Sequence, residues 1–179
     1  MIKRFKNLMP GMKAALDCGA GIGRVAKKVL KPIFSAVDLV EPSSVQLDKA
    51  RKFVPEARNF YEQGLQEFSY KDCKYDAVWI QWVLCYLTDD DIVSFLVKTK
   101  LDGLTRNKIR KTTGLIFIKE NTSPQSKFLC DFEQNAVWRN KQQFRALFEI
   151  AGYNVVLEEE QTGTEVRRSN IMPITCYVL

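Results

Sequence analysis

Apolar and polar positions along the chain switch between two periods, and the switches mark the predicted elements. Residues 14–18 form a short, nearly continuous apolar run of strand length. Residues 23–30 carry helical spacing, which Pro32 ends. A second strand is predicted over 36–40, closing at Glu41-Pro42, and Val45, Leu47, Ala50 and Val54 suggest a helix of looser spacing after it. Residues 57–61 read as a third short strand and 75–81 as a fourth, rich in the aromatic and branched side chains of a central strand. Thr88 ahead of Asp89, Asp90 and Asp91 is a capping-box pattern that puts acids at the positive end of a helix. Ile92, Phe95, Leu96 and Thr99 share one face of that helix. A basic loop then leads to a fifth strand over 114–119. Asn140 is placed to cap a helix with Phe144, Leu147, Phe148 and Ala151 on its stripe, and Gly152 to close it. Two strands, 153–159 and 174–178, finish the chain with no helix between them.

Strand–helix alternation of this kind predicts an α/β fold, a mostly parallel sheet with helices on both faces. The last strand is expected to be antiparallel to its neighbour, because a parallel return needs a crossover helix. In such sheets the ligand lies at the carboxyl ends of the strands. Leu16-Asp17-Cys18-Gly19-Ala20-Gly21-Ile22-Gly23-Arg24 occupies the turn from the first strand into the first helix. Its glycines allow positive φ and close approach of a ligand to the backbone. The dinucleotide fingerprint would need Gly or Ala where Arg24 stands. Arg24 therefore favours the S-adenosylmethionine version of the site, in which a guanidinium grips the cofactor's carboxylate. Glu41, about 20 residues past Gly19, is placed to accept ribose hydroxyls. Gly64-Leu65-Gln66 follows the third strand, where backbone contacts to the adenine are expected. The strand-turn-strand ending fits a Rossmann-like class I methyltransferase with a seven-stranded sheet and not a nicotinamide-binding domain.

Composition narrows the chemistry further. The chain has 179 residues, a formal charge of +6 and no histidine. A domain of this length buries roughly two-thirds of its unfolded surface, enough to fold without staples. The lack of histidine removes Ser-His and Cys-His nucleophiles, histidine bases and most catalytic zinc sites. Cysteines 18, 73, 85, 130 and 176 include no C-x-x-C pair, so neither a metal cluster nor a disulfide framework is expected, and reduced thiols point to a cytoplasmic or nuclear location. No apolar run reaches the ~20 residues of a membrane span, and no secretory signal is expected at the start. Positive charge is scattered, densest at residues 106–111, which reads as a solvated loop more readily than as a nucleic-acid surface.

Two further blocks are more specific: Ile80-Gln81-Trp82-Val83-Leu84 and Lys119-Glu120-Asn121. With the glycine loop and Gly64-Leu65-Gln66, they resemble the protein alpha-N-terminal methyltransferases over nearly the whole chain from Ala14. That family methylates the α-amino group of proteins beginning with an Xaa-Pro-Lys type motif. The resemblance implies that Gly19, Gly21, Arg24, Glu41, Gly64, Leu65, Gln66 and Gln81 hold S-adenosylmethionine. It implies that Trp82 lines the peptide channel with Tyr86 near it, and that Asn121 hydrogen-bonds the substrate N-terminus. Asp131 and Glu133 stand where the family places the acids that receive the substrate Lys and help accept the amine proton.

The chain also departs from that pattern. Tyr86 stands where the family has His, the acidic segment is one residue longer, and the catalytic carboxylate could match Glu133 or fall on Gln134. Residues 106–111 look like an insertion. The chain is read as one methyltransferase domain, 1–179, with the family's N-terminal helices largely absent ahead of Ala14. The expected partner is the N-terminal peptide of a substrate protein, with no metal and no membrane. A small-molecule acceptor and a truncated, non-catalytic cofactor-binding or partner protein stand as alternatives. Adenine-N6 methylation is disfavoured, because no Asn/Asp-Pro-Pro-aromatic run follows the fourth strand.

Overall fold

A computed structural model describes residues 1–71, 73–109, 111–124, 129–161 and 172–179. In chain order these form β1 (Ala14–Cys18), β2 (Ala36–Val40), α1 (Ser44–Phe53), β3 (Asn59–Tyr61), β4 (Ala77–Gln81), α2 (Asp89–Lys98), β5 (Arg106–Asn107), β6 (Thr112–Thr113), β7 (Leu115–Asn121), β8 (Leu129–Asp131), β9 (Ala136–Trp138), α3 (Lys141–Ile150), β10 (Leu157–Glu160) and β11 (Ile174–Val178). The sheet has seven strands in the order β10-β11-β7-β4-β1-β2-β3. β1 pairs in parallel with β2 and β4, and β2 with β3. β11 is antiparallel to both β7 and β10, as the missing crossover helix requires.

The chain divides into two compact units, Met1–Ile80 with Lys98–Ile116, and Gln81–Val97 with Phe117–Leu179. In the first, β1 and β2 are buried on both faces, which explains their continuous apolar runs. The segment between them is helical, but not as its spacing suggests. Gly23 sits outside it at φ 81, and Ala26–Leu30 winds as a π-helix. Asp17 explains the helix start: its Oδ2 accepts the Ala26 N–H at 2.8 Å, satisfying a donor of the first turn from the preceding strand. β3 and β4 start two residues later than predicted. Tyr75 instead forms an isolated bridge to Leu104, and its hydroxyl donates to Asp38. The basic segment is not a plain loop: β5 and β6 pair as a two-stranded hairpin around it. Arg110 of that run lies outside the described residues.

In the second unit the caps behave as the sequence suggests. Thr88 Oγ1 accepts the Asp91 N–H at 3.1 Å, and Asp91 accepts the Thr88 N–H in return. Asn140 and Gln143 form the same reciprocal pair at the head of α3. At its end Gly152 takes φ 77, its N–H bonds to Glu149 O, and the Tyr153 N–H bonds back to Phe148 O. Tyr153 is thereby spent on the helix exit, and so β10 begins only at Leu157. Phe144, Phe148 and Tyr177 fill the core with ring centroids 5.2–5.9 Å apart. The short hairpin β8–β9 has no counterpart among the predicted elements. The link between the last two strands falls on 162–171, outside the described residues.

Candidate active site

The first unit gathers the glycine turn and the end of β2. Gly19, Gly21 and Gly23 take φ of 64°, 55° and 81°, the left-handed region that side chains with a Cβ disfavour. The Ala20 N–H donates to Val40 O at 3.0 Å, tying the turn to β2. Glu41 does the rest: Oε2 accepts the Gly21 N–H at 2.8 Å, and Oε1 the Ser43 N–H at 3.0 Å. Its side chain is buried, and each carboxylate oxygen carries a second lone pair. Arg24 stands exposed at the start of the helix beside the turn. A glycine turn, a guanidinium and a carboxylate with lone pairs left over suit a ligand that carries a carboxylate and a diol. Gly64 opens a tight turn, accepting from the Phe68 N–H at 3.0 Å, with Leu65 buried and Gln66 exposed.

Gly23 has a packing role that no ligand needs. A Cβ there would lie 2.7 Å from Val54 Cγ2 and 3.2 Å from Leu39 Cδ2. Left-handed strain and overpacking together set an expected cost of about 2–3 kcal/mol for Gly23→Ala. Urea denaturation measures it, and a loss under about 0.5 kcal/mol would contradict this packing.

Asp17 is a site-adjacent residue that the sequence reading passed over. The signal was a lone acid inside the first buried strand run. Burial pushes its carboxyl up to about 7, while the Ala26 N–H and the Arg24 charge pull it back. In the second unit, burial likewise lifts Glu120 to about 7 against the pull of the Leu84 and Val83 N–H groups and Arg139. Both folded values lie above those of ordinary carboxyls, so the folded chain holds more protons than the unfolded one between about pH 4 and 7. The stabilising contribution is therefore full below about pH 4 and is lost as pH rises through 7. The expected result is a higher urea midpoint at pH 5.5 than at pH 7.5, with an unfolding free energy larger by roughly 1–2 kcal/mol per group. A midpoint that rises across that interval would contradict it.

The second unit gathers the residues expected at the acceptor. Gln81 ends β4 half-buried, and Trp82 follows at φ 55, 41 % exposed. The Trp82 N–H donates to Lys119 O at 3.1 Å, and Lys119 Nζ lies 5.5 Å from the indole centroid. Tyr86 is 55 % exposed, so it is not core. Burial raises its phenol, and the charges of Cys85, Glu120 and Asp131 raise it further, which makes it no base at neutral pH. Asn121 ends β7, and its Oδ1 is buried without a hydrogen bond. A buried acceptor without a donor costs about 1–3 kcal/mol, so this oxygen is open to a donor from outside the chain. Asp131 and Glu133 share the β8–β9 hairpin. Asp131 Oδ1 is engaged by the Glu133 and Gln134 N–H groups at 3.0 Å each, whereas Glu133 is exposed. Phe132 between them is 88 % exposed.

Among the described residues no group of His, Cys, Asp or Glu has metal-holding geometry, and no helix is long and apolar enough to cross a membrane.

Three comparisons bear on this arrangement. A family model described as AdoMet dependent proline di-methyltransferase matches residues 1–179. Alpha N-terminal protein methyltransferase 1 of Dictyostelium discoideum is 46% identical over 146 residues, 79% of this chain and 51% of that protein. N-terminal Xaa-Pro-Lys N-methyltransferase 1-A of Xenopus laevis is 39% identical over 155 residues, 84% of this chain and 66% of that protein. The chain thus spans about half to two thirds of the length of these curated relatives. A Leishmania major structure described as a SAM-dependent methyltransferase matches with a TM-score of 0.84 at 32% identity, covering 99% of this chain and 69% of that one. A Methanosarcina mazei methyltransferase structure at 11% identity shares the fold, with a TM-score of 0.74.

Proposed function

Because the chain belongs to the AdoMet-dependent proline di-methyltransferase family, we propose that it methylates the α-amino group of protein N-termini of the Xaa-Pro-Lys type, using S-adenosylmethionine. The observation that carries the acceptor half of this reading is the buried, unpartnered Oδ1 of Asn121. A neutral amine carries N–H groups that suit it. The names of the relatives favour a peptide acceptor over a small molecule.

In this reading Gly19, Gly21, Arg24, Glu41, Gly64, Leu65, Gln66 and Gln81 hold the cofactor. Glu41 would take the ribose hydroxyls on its remaining lone pairs while it fixes the Gly21 amide. Arg24 would pair with the amino-acid carboxylate. When bound, the cofactor supplies the methyl group on a sulfonium. The chain's own task is then to position the amine and keep it neutral. Trp82 and Tyr86 would line the peptide path, and Asn121 Oδ1 would accept an N–H of the amine. A free α-amine titrates near 7.7–8.0, so part of it is already neutral at pH 7. Glu133 or Asp131 would receive the displaced proton, directly or through water. Glu133 is exposed, whereas one Asp131 oxygen is taken up by the turn.

Incubating the chain and S-adenosylmethionine with a Xaa-Pro-Lys peptide and a panel of small amines tests the proposal by mass spectrometry. Mass gain on the peptide is expected. Gain confined to the small amines would overturn it.

A further inference from the structure

Two buried charged residues in the second unit take no part in that chemistry. Glu120 is 2 % exposed and Arg139 3 %. Both act on the backbone of residues 83–87. Glu120 Oε1 accepts the Val83 and Leu84 N–H groups at 2.8 and 2.9 Å. Arg139 donates from Nη1 to Leu84 O at 3.0 Å and from Nη2 to Leu87 O at 2.7 Å. Its Nε donates to Asp89 Oδ1 at 2.6 Å, at the head of α2. The Ser123 N–H holds the Arg139 carbonyl at 3.0 Å.

The segment braced in this way begins with Trp82 at φ 55. Left-handed backbone is strained for a bulky residue and persists only where the surroundings over-determine it. Three consecutive N–H groups, Trp82 to Leu84, are held by Lys119 O and Glu120, and two carbonyls by Arg139. Burying two ionisable side chains to hold one loop is poor stabilisation compared with apolar filling. It does give a single backbone conformation.

We infer that Glu120 and Arg139 are positioning residues that hold the segment 82–87 from both sides, keeping the Trp82 indole and the exposed Tyr86 in place for the peptide. The inference rests on the proposed function, since it takes the peptide as the ligand of that segment. Glu120→Ala and Arg139→Met release the two sides separately. Both are expected to weaken binding of a labelled Xaa-Pro-Lys peptide by about tenfold or more, because a small misplacement of contact groups costs up to about a hundredfold. Affinity for S-adenosylhomocysteine should stay within about twofold, and amide exchange at Val83 and Leu84 should rise about tenfold with β11 unchanged. Arg139→Lys keeps the charge but not the fork, so it should fall between wild type and Arg139→Met. It carries the comparison if Arg139→Met does not fold. Peptide affinity within about twofold of wild type while exchange rises would overturn the inference, as would equal loss of both ligands. Wild-type chain that binds S-adenosylhomocysteine but not the peptide would refute the acceptor reading itself and this inference with it.

Discussion

Glu41→Ala should weaken S-adenosylhomocysteine binding by about a hundredfold or more while leaving the chain folded. Two hydrogen bonds from a carboxylate to ribose hydroxyls, at about 1.5–3 kcal/mol each, account for that loss. The substitution also frees the Gly21 and Ser43 N–H groups, which Glu41 holds at 2.8 and 3.0 Å. The glycine turn then loses its tie to the acid after β2, though the Ala20 to Val40 bond remains. Calorimetric titration reads the affinity, and circular dichroism reads the fold. Affinity within about threefold of wild type would remove Glu41 from the cofactor site.

Asp38→Ala should cost about 2–3 kcal/mol of stability, the value of hydrogen bonds to a buried charged acceptor. Asp38 is fully buried on β2. Its carboxylate accepts from Arg58 Nε at 2.9 Å and Nη2 at 2.6 Å, from Asn59 Nδ2 at 3.2 Å and from the Tyr75 hydroxyl at 2.7 Å. Hydrogen bonding and the charge of Asp38 hold the Arg58 guanidinium well above its ordinary range, and burial together with Asp38 does the same to the Tyr75 phenol. The Arg58 side chain is 41% exposed and can turn to water when the acid is gone. The Tyr75 hydroxyl is buried and loses the acceptor it donates to. Urea denaturation gives the number, and a loss below about 1 kcal/mol would mean the network is incidental.

Much of the fold was legible because β1, β2 and β11 are short apolar runs with clear ends, and α2 and α3 carry their caps in the sequence. The glycine turn was legible because positive φ demands glycine. What escaped depends on tertiary partners. Glu120 and Arg139 look like surface charges in Lys-Glu-Asn and Trp-Arg-Asn, yet both are buried and bonded to residues far away in sequence. Asp17 and Asp38 were hidden inside strand runs for the same reason. Left-handed Trp82 has no local signal, since the residues that favour that region are Gly, Asn and Asp. The β8–β9 hairpin was missed because each strand has three residues and the turn between them is mostly polar. That hairpin places Asp131 in its own turn, which the spacing of acids alone did not reveal.

The most direct test of the proposed chemistry is where a labelled methyl group goes. The chain is incubated with trideuteromethyl S-adenosylmethionine, a Xaa-Pro-Lys peptide and the same peptide acetylated at its N-terminus, and the products are sequenced by fragmentation. The expected label sits on the α-nitrogen of the first residue and is missing from the acetylated peptide. Label on the Lys side chain, or none on either peptide from folded chain that binds the cofactor, would contradict it.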